Sequence, residues 1–455
     1  MRQDTAIQEL AALVADRATH AVPADVRRVS DAVVLDVLTS YLAADPAVEI
    51  RVSPDAALLD GAAATAFRVA ATAHSLDLDE THFGSSVHAA SAVIGVLLGL
   101  SNVGRQALEG DELRDAVAVS LEIAARVGLG APGVAQRRGY TTTAVFAPLA
   151  SAAVACCFLG LDVPQTAHAL ALATDGAGGT RGGHLDGGAD TKFIHMGRSA
   201  AWGVTCAALA AQGVIGASDP LFGRFGLFRT VLGVPPDDVD RAAVLDGIGT
   251  TWAVRNIGFK AFPTHLGTQA CADALLTLLD RQDRRQVADV TCKVHPHVIP
   301  TVAEPRSSKL HPVSGYAARF SLPIVAALCV VDGELHAGSF SDRSIRRAAV
   351  LDVAARVRVL ADPAAPAPGD YPGRVDIRFE DGSVLTSPWQ PAPGVPARPL
   401  SDVDLEEKFR AWVEPRCGGA MADLVLAEVR GPARGRHLMK LTTSARGIGA
   451  APPAR

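Results

Sequence analysis

Residues 140–161 read YTTTAVFAPLASAAVACCFLGL, a run without a charged side chain in which alanine and other small residues predominate. The run is long enough to cross a bilayer as a helix, and residues 199–218 form a second such run. Helices that are buried on all sides of a large soluble protein have the same composition. Because both runs are rich in Ala, Gly, Ser and Thr, and Pro148 interrupts the first, we interpret them as internal helices and expect no membrane partner.

The overall composition favours helices through the first two-thirds of the chain. Hydrophobic residues make up 49% of the sequence and aromatic residues only 5%, so Ala, Val and Leu must fill the interior. Small side chains of this kind favour closely packed helices. The 455 residues exceed what one hydrophobic core usually serves, which indicates two or three folding units. The predicted fold class is mainly α.

The pattern changes after about residue 279. Two segments alternate apolar and polar residues at the two-residue period of a half-buried strand, residues 290–294 and 375–379. Asp381-Gly382 then supplies a hairpin turn. Between the strands, residues 341–360 are predicted as one or two helices, and the Pro-, Ala- and Gly-rich residues 361–373 as a surface connection.

Helical patterns resume near the C-terminus. Ser401 precedes an amphipathic helix that follows the proline-rich residues 388–399. We therefore predict a large all-helical domain that is built from both chain ends, residues 1–255 and 400–455. A smaller α+β domain is predicted for residues 256–399.

Charge and cysteine content restrict the possible partners and location. The net charge is −5 and the basic residues are scattered, which argues against nucleic acid as a partner. The seven cysteines show no CxxC spacing, so we predict free thiols in a reducing compartment and no zinc site. The N-terminal residues lack the apolar region of a signal peptide, so we predict a cytoplasmic protein.

Three short polar segments interrupt the apolar helices and contain the candidate site residues. These are Asp77, Thr81, His82 and His88 in residues 77–88, Lys192 and His195 in residues 190–198, and His265 in residues 260–265. Carboxylate, imidazole and ammonium groups together suit proton transfer beside an anionic substrate. Each segment alone has a plainer interpretation: an acidic helix cap, a solvated basic face, or a histidine packed at a helix end.

Two of these segments indicate a specific chemical role for one of their residues. Lys192 follows the glycine-rich residues 176–188 and supplies a point charge for a carboxylate. His265 precedes a helical pattern, and a helix N-terminus lowers the basicity of an imidazole, so a neutral His265 is able to accept a proton. His295 and His297 share a strand face, but no third metal ligand is recognisable near them, so no metal site is predicted.

Taken together and in order, five segments resemble the MmgE/PrpD family, which includes 2-methylcitrate dehydratases, cis-aconitate decarboxylases and iminodisuccinate epimerases. The resemblance covers most of the chain. The segments are AHSLDLDET (73–81), RGYTTTAVF (138–146), residues 191–200, KAFP (260–263) and the helix start at residues 401–409.

The resemblance implies a helical domain from both chain ends, a smaller α+β lid domain, a homodimer, and cofactor-free chemistry in the cleft between the domains. It places acid–base or carboxylate-binding roles on Asp77, Thr81, Lys192 and His265, and on a histidine soon after the first motif, which is either His88 or His82. The predicted catalytic set is Asp77, His88, Lys192 and His265, and the predicted substrate-binding set is Thr81, His82, Arg138, Thr141 and His195.

The sequence departs from the family pattern at two positions. Thr141 stands where the decarboxylases and many dehydratases have a histidine, and a hydroxyl cannot replace imidazole as a base at neutral pH. Ile324 occupies the place of a tyrosine that the decarboxylases carry. The sequence therefore argues against standard cis-aconitate decarboxylation.

We predict a cofactor-independent, dehydratase-like lyase or an isomerase that removes a proton α to a carboxylate or carbonyl of a small polycarboxylate. In this hypothesis Lys192 anchors negative charge and His265 is the first choice for general base. The alternatives are a diverged epimerase of a biosynthetic pathway, and a non-catalytic binding subunit that retains the fold.

Overall fold

Helices make up most of the secondary structure, which confirms the mainly α class. The computed structural model describes residues 5–16, 20–53, 60–101, 107–183, 189–280, 282, 284–431 and 435–446. The helices of its first part are α1 (Thr5–Ala15), α2 (Ala24–Ala43), α3 (Pro46–Val52), α4 (Gly61–His74), α5 (Ala90–Ser101), α6 (Gly110–Leu129), α7 (Val134–Arg137), α8 (Thr142–Leu159), α9 (Val163–Thr174), α10 (Thr191–Ala211), α11 (Leu227–Thr230) and α12 (Arg241–Leu245). Two short strands, β1 (Thr81–His82) and β2 (Ile257–Gly258), pair antiparallel.

Helix α8 corresponds to the uncharged residues 140–161. Within the described ranges it is the one helix long and apolar enough to cross a membrane, and 94% of it is buried inside the protein. This burial is that of a core helix in a soluble protein. The second run, residues 199–218, is not a single helix. Helix α10 begins before the run, at Thr191, and ends within it, at Ala211.

Helices α4 and α5 approach each other closely because α5 carries glycine where the backbone of α4 lies against it. A Cβ atom at Gly99 would lie 2.5 Å from the carbonyl oxygen of Ala62, and one at Gly95 would lie 2.8 Å from that of Ala66. Both distances are shorter than van der Waals contact. The chain between these two helices forms part of the wall of a cavity.

A four-stranded sheet forms in the second part of the chain. Its helices are α13 (Leu266–Leu279), α14 (Ile299–Val302), α15 (Arg306–Leu310), α16 (Gly315–Ala318), α17 (Leu322–Asp332), α18 (Asp342–Ile345) and α19 (Ala348–Ala355), and its strands are β3 (Val287–Val294), β4 (Val357–Ala361), β5 (Gly373–Phe379) and β6 (Val384–Thr386). The strand order is β4-β3-β5-β6. Strand β3 is parallel to β4 and antiparallel to β5, and β5 and β6 form the predicted hairpin.

Strands β3 and β5 confirm the alternating patterns, and helices α18 and α19 confirm the one or two helices predicted within residues 341–360. The end of that segment differs from the prediction, because strand β4 begins at Val357. Of the residues in β4, only Val357 is buried. Such a short and mostly exposed edge strand has little alternation, and its pairing with β3 decides its conformation.

The C-terminal helices are α20 (Asp402–Cys417), α21 (Gly419–Arg430) and α22 (Leu438–Ala445). Ser401 and Asp404 form the capping box of α20, as the sequence predicts a helix start there. Helix α20 packs Leu405, Phe409 and Val413 into the same core cluster as the first helices.

Two main clusters of buried apolar side chains account for the core. The larger one joins side chains from residues 6–259 with others from residues 405–438, and the second joins residues 271–379. This distribution supports a helical body from both chain ends. The domain boundaries predicted at residues 255 and 400 stay a prediction.

We predict that Gly95→Ala and Gly99→Ala each lower the free energy of unfolding by about 1–3 kcal/mol, because the added methyl group must displace the backbone of α4. Gly419→Ala is the matched control, since a Cβ atom there would meet nothing within 4 Å. The control should be neutral or stabilising by about 0.5–1 kcal/mol. Urea unfolding followed by circular dichroism measures both effects, and equal midpoints for Gly99→Ala and Gly419→Ala would contradict the prediction.

Candidate active site

A cavity of about 430 Å³ lies between the helical body and the α+β segment. The helical body contributes Asp77, Thr81, Ser86, His88, Gly133, Gln136, Arg137, Thr141, Thr142, Arg181 and Lys192 to its wall. The opposite wall comprises Lys260, His265, Leu266, His297, Val298, Thr301, Phe320 and Tyr371. Polar and cationic groups from distant parts of the chain therefore meet in one space.

The Asp77 carboxylate binds two lysines at the base of this cavity. The Lys192 ammonium forms an ion pair with Oδ1 of Asp77, and Nζ of Lys260 lies 3.3 Å from the same oxygen. Lys260 also donates a hydrogen bond of 2.8 Å to the backbone carbonyl of Asp77. All three side chains are buried. Burial alone would raise the pKa of Asp77, but the two ammonium groups outweigh it and hold that pKa well below its usual range.

Three non-glycine residues with left-handed backbone line this cavity. They are Asp77, Ser86 and Tyr371, with φ angles of 52°, 56° and 48°. Among the described residues they are the only non-glycine residues with positive φ. Such conformations cost free energy unless the surroundings impose them, and they concentrate at functional sites.

A contact with a backbone carbonyl oxygen holds His88 in one tautomer. Its Nδ1 contacts the carbonyl oxygen of Glu80 and lies 3.2 Å from Oγ1 of Thr81. Because a carbonyl oxygen only accepts hydrogen bonds, Nδ1 carries the proton and Nε2 keeps its lone pair. Burial, reinforced by the charges of Lys260 and Lys192, holds the pKa of His88 well below its usual range. His88 is therefore neutral at pH 7 and has a free basic nitrogen.

His265 has the opposite tautomer. It caps the N-terminus of α13, where its Nδ1 accepts a hydrogen bond of 3.1 Å from the backbone N–H of Gly267. A neutral ring therefore carries its proton on Nε2. Burial lowers the pKa of His265 well below its usual range, although nearby Asp77 acts in the other direction. The cavity thus contains one imidazole that is able to accept a proton and one that is able to donate a hydrogen bond.

Buried cations fix the backbone that carries these groups. Lys408 of α20 donates to the carbonyl oxygen of Lys260 at 2.7 Å and pairs with Asp36 at 2.5 Å. Arg319 donates to the carbonyl oxygens of Leu76 and Pro263, at 3.1 and 2.8 Å. These bonds tie the turn around Asp77 to the segment that contains Lys260 and to the C-terminal helix.

The acidic residues next to Asp77 have structural contacts. Asp79 pairs with Nδ1 of His74 at 2.7 Å and accepts from the hydroxyl of Ser91. Glu80 accepts two backbone N–H groups at the start of α5. Burial, together with the charge of Asp79, raises the pKa of Glu80 to about 8. Glu80 is thus mostly protonated at neutral pH and adds little negative charge beside the cavity.

Six of the candidate site residues line the cavity: Asp77, Thr81, His88, Thr141, Lys192 and His265. Their functional roles stay predictions. The structure does not bring the other three there. Both ring nitrogens of His82 are occupied, by Ser85 Oγ at 2.7 Å and by the carbonyl oxygen of Ala253 at 3.0 Å. His82 therefore supports the β1–β2 region, and His88 is the histidine of the first segment that faces the cavity.

Arg138 and His195 also lie outside the cavity wall. Arg138 is exposed, and its guanidinium group packs over Gly233. His195 lies on α10 one turn after Lys192, and its ring lies against Gly179. Burial lowers the pKa of His195 to about 4. His82, Arg138 and His195 therefore do not line the cavity, and their substrate-binding roles stay predictions.

Sequence reasoning missed several cavity residues. Lys260 belongs to the KAFP segment, and its position before His265 was a usable signal. His297 was recognised as half of a histidine pair, but it was considered only as a metal ligand. Arg181 and Tyr371 lie in glycine- and proline-rich segments that carry no pattern pointing to a cavity. Among the described residues, no group of three or more His, Cys, Asp or Glu side chains is arranged to hold a metal ion.

Comparison with known proteins agrees with this arrangement of two walls. Residues 8–239 match the MmgE/PrpD N-terminal domain, and residues 262–429 match the MmgE/PrpD C-terminal domain. The chain belongs to the MmgE/PrpD family. The match to the C-terminal domain runs past residue 400 and so includes part of the returning helices.

Curated relatives of this MmgE/PrpD protein include lyases. Human cis-aconitate decarboxylase is 28% identical over 345 residues, which cover 74% of this chain and 70% of the relative. The mouse cis-aconitate decarboxylase is 28% identical over 345 residues, with 74% and 69% covered. The cis-aconitate decarboxylase-like protein oryM of Aspergillus oryzae is 22% identical over 356 residues, with 74% and 72% covered. This similarity supports an enzyme of the family.

We predict that Lys192→Ala lowers turnover by about 10²- to 10³-fold, because a substrate carboxylate would lose its ammonium partner. The fold should persist, since Lys260 remains 3.3 Å from Asp77 and keeps that carboxylate paired. Lys309→Ala is the matched control: Lys309 is a buried lysine outside the cavity. Steady-state kinetics and thermal unfolding of both variants test the prediction, and unchanged turnover in Lys192→Ala would remove this lysine from the site.

Proposed function

We propose that this MmgE/PrpD protein is a cofactor-independent lyase of the dehydratase type, with an epimerase or other isomerase as the alternative. It acts by removing a proton α to a carboxylate of a small polycarboxylate. The observation that carries the proposal is the pair of opposite histidine tautomers, His88 and His265, in one cavity with a lysine-bound aspartate. A cytoplasmic location is part of the proposal, and the seven free cysteines support it.

The tautomers support roles that differ from the first choice made on sequence. Nε2 of His88 has the free lone pair and takes the α proton as general base. Nε2 of His265 carries a proton and donates it, or a hydrogen bond, to the leaving group or to the carbanion. The negative charge that develops on the carboxylate is stabilised by Lys192 and Lys260, which the protein has already oriented.

The step after proton removal depends on the substrate. If a hydroxyl group occupies the β carbon, it leaves with a proton from His265 and the reaction is a dehydration. If no leaving group is present, the carbanion is protonated again on the other face and the reaction is an epimerisation. Both outcomes use the same first step and the same residues.

Two observations favour these reactions over the decarboxylation that the names of the relatives describe. Thr141 lines the cavity, so a hydroxyl group and not an imidazole is present at that position. Its hydroxyl oxygen is buried and has no hydrogen-bond partner among the described residues. Ile324 is fully buried in the core of the α+β segment and supplies no phenol. A non-catalytic binding protein is disfavoured, because a buried aspartate with two lysines and left-handed backbone is costly to maintain without chemistry.

Deuterium wash-in tests the first step directly. Incubation with candidate dicarboxylates and tricarboxylates in heavy water should place deuterium at the α carbon of a true substrate, as detected by mass spectrometry. His88→Gln should lose this exchange, whereas His265→Gln keeps an N–H donor and should retain it while slowing the overall reaction. His311→Gln, at an exposed histidine outside the cavity, should match the parent. Exchange that survives in His88→Gln but disappears in His265→Gln would reverse the two roles.

The pH dependence of catalysis should follow the pKa values of the two histidines. Burial, reinforced by the charges of Lys260 and Lys192, lowers the pKa of His88 and of His265, so the acid limb of kcat/KM should lie below the usual histidine range. Lys260→Met removes one of these cations and should move the pKa of both histidines up, so the acid limb should move to higher pH. An acid limb that stays in place, or moves to lower pH, would contradict this account.

A further inference from the structure

Arg181 places a guanidinium group in the cavity wall. This group makes one long contact of 3.5 Å, to the carbonyl oxygen of Gln136. Among the described residues no Asp or Glu forms an ion pair with it. Burial lowers the pKa of Arg181 from its usual range, as expected for a cation that has lost water without gaining an anion. Its counter-ion is therefore missing from the described part of the chain.

Tyr371 lies beside Arg181 and comes from the opposite wall. Its ring packs edge-on against three rings, with centroid distances of 5.3 Å to His297, 6.1 Å to Phe83 and 6.5 Å to His265. These contacts fix the direction of the phenol. Burial raises the pKa of Tyr371, so the hydroxyl keeps its proton and acts as a donor.

Ser86 completes this group. Its hydroxyl acts on the phenol of Tyr371 in the direction that lowers the pKa of that phenol, against the larger effect of burial, and both residues line the cavity with left-handed backbone. Serine and tyrosine, unlike glycine, adopt this conformation only where the fold imposes it. The fold thus holds two hydroxyl groups, from the two walls, near an arginine that has no described anion partner.

These groups are separate from the aspartate–lysine cluster. Lys192 and Lys260 share the single carboxylate of Asp77, so together they leave about one positive charge for a substrate. A second carboxylate on the same substrate requires another cation. Arginine suits this task, because its planar group binds both oxygens of a carboxylate.

We propose that Arg181, Tyr371 and Ser86 form a second carboxylate subsite, which binds the carboxylate farther from the reacting carbon. This subsite rests on the proposed function in one respect, namely that the substrate is a polycarboxylate. It makes the enzyme selective for substrates with at least two carboxylates over monocarboxylates of similar size, and it orients the α proton toward His88.

Binding of a non-reacting tricarboxylate tests the subsite without catalysis. Propane-1,2,3-tricarboxylate is titrated into the full-length protein in a calorimeter. Arg181→Gln should weaken its affinity about tenfold or more, and Tyr371→Phe about three- to tenfold, as expected for the loss of a charged and a neutral hydrogen bond. Arg343→Gln, at an exposed arginine outside the cavity, is the matched control and should bind like the parent protein.

Butyrate, a monocarboxylate, is the second ligand whose binding is measured. Its weak binding, measured by competition with the tricarboxylate, should be equal in the parent and in Arg181→Gln, because it needs only the lysine subsite. Three results would overturn the subsite. They are an unchanged tricarboxylate affinity in Arg181→Gln, a parent protein that does not bind the tricarboxylate, and an equal loss of affinity for the tricarboxylate and for butyrate in Arg181→Gln. Deuterium exchange is measured on the same variants, so failure of the proton-transfer proposal is recognised separately.

Discussion

The ion pairs of one buried aspartate with two lysines determine the chemistry of this protein. Isolated charges are very costly to bury, and a buried pair is tolerated only when geometry and additional hydrogen bonds are good. Asp77 satisfies this condition through Lys192, Lys260 and the bond from Lys260 to its backbone carbonyl. The cluster has one ammonium more than it has carboxylates. This excess positive charge suits the anionic substrate of the proposed function and, together with burial, keeps the neighbouring histidines neutral.

The cluster in turn explains why both ends of the chain return to one body. Asp77 follows α4, Lys192 lies in the first turn of α10, and Lys260 precedes α13. Helices α4 and α10 pack directly against each other, since Gly197 of α10 lies against Phe67 and Ala71 of α4. Lys408, from the C-terminal helix α20, binds the carbonyl oxygen of Lys260 and the carboxylate of Asp36 on α2. A C-terminal helix therefore positions Lys260 from 148 residues away in the sequence.

Residue types and local sequence patterns made part of the fold and part of the site predictable. Asp77, Lys192 and His265 stand in short polar segments inside apolar surroundings, and strands β3 and β5 alternate strongly enough to be recognised. Long-range pairing decided the rest. The choice between His82 and His88 depends on β1 pairing with β2, which places the carbonyl of Ala253 against His82. Tyr371 lies in a segment whose prolines and glycines predict a surface connection, and only the packing of three rings brings it into the cavity.

Side-chain identity alone does not determine the direction of the proposed proton transfer. His88 and His265 are the same residue type, both are largely buried, and the pKa of each is lowered mainly by burial. They differ because one ring faces a backbone carbonyl, that of Glu80, and the other faces a backbone N–H, that of Gly267. Each main-chain group selects a tautomer, and the tautomer decides whether the nitrogen directed away from it is a base or a donor. In the proposed mechanism, the base and the acid are thus assigned by the turn before α5 and by the first turn of α13.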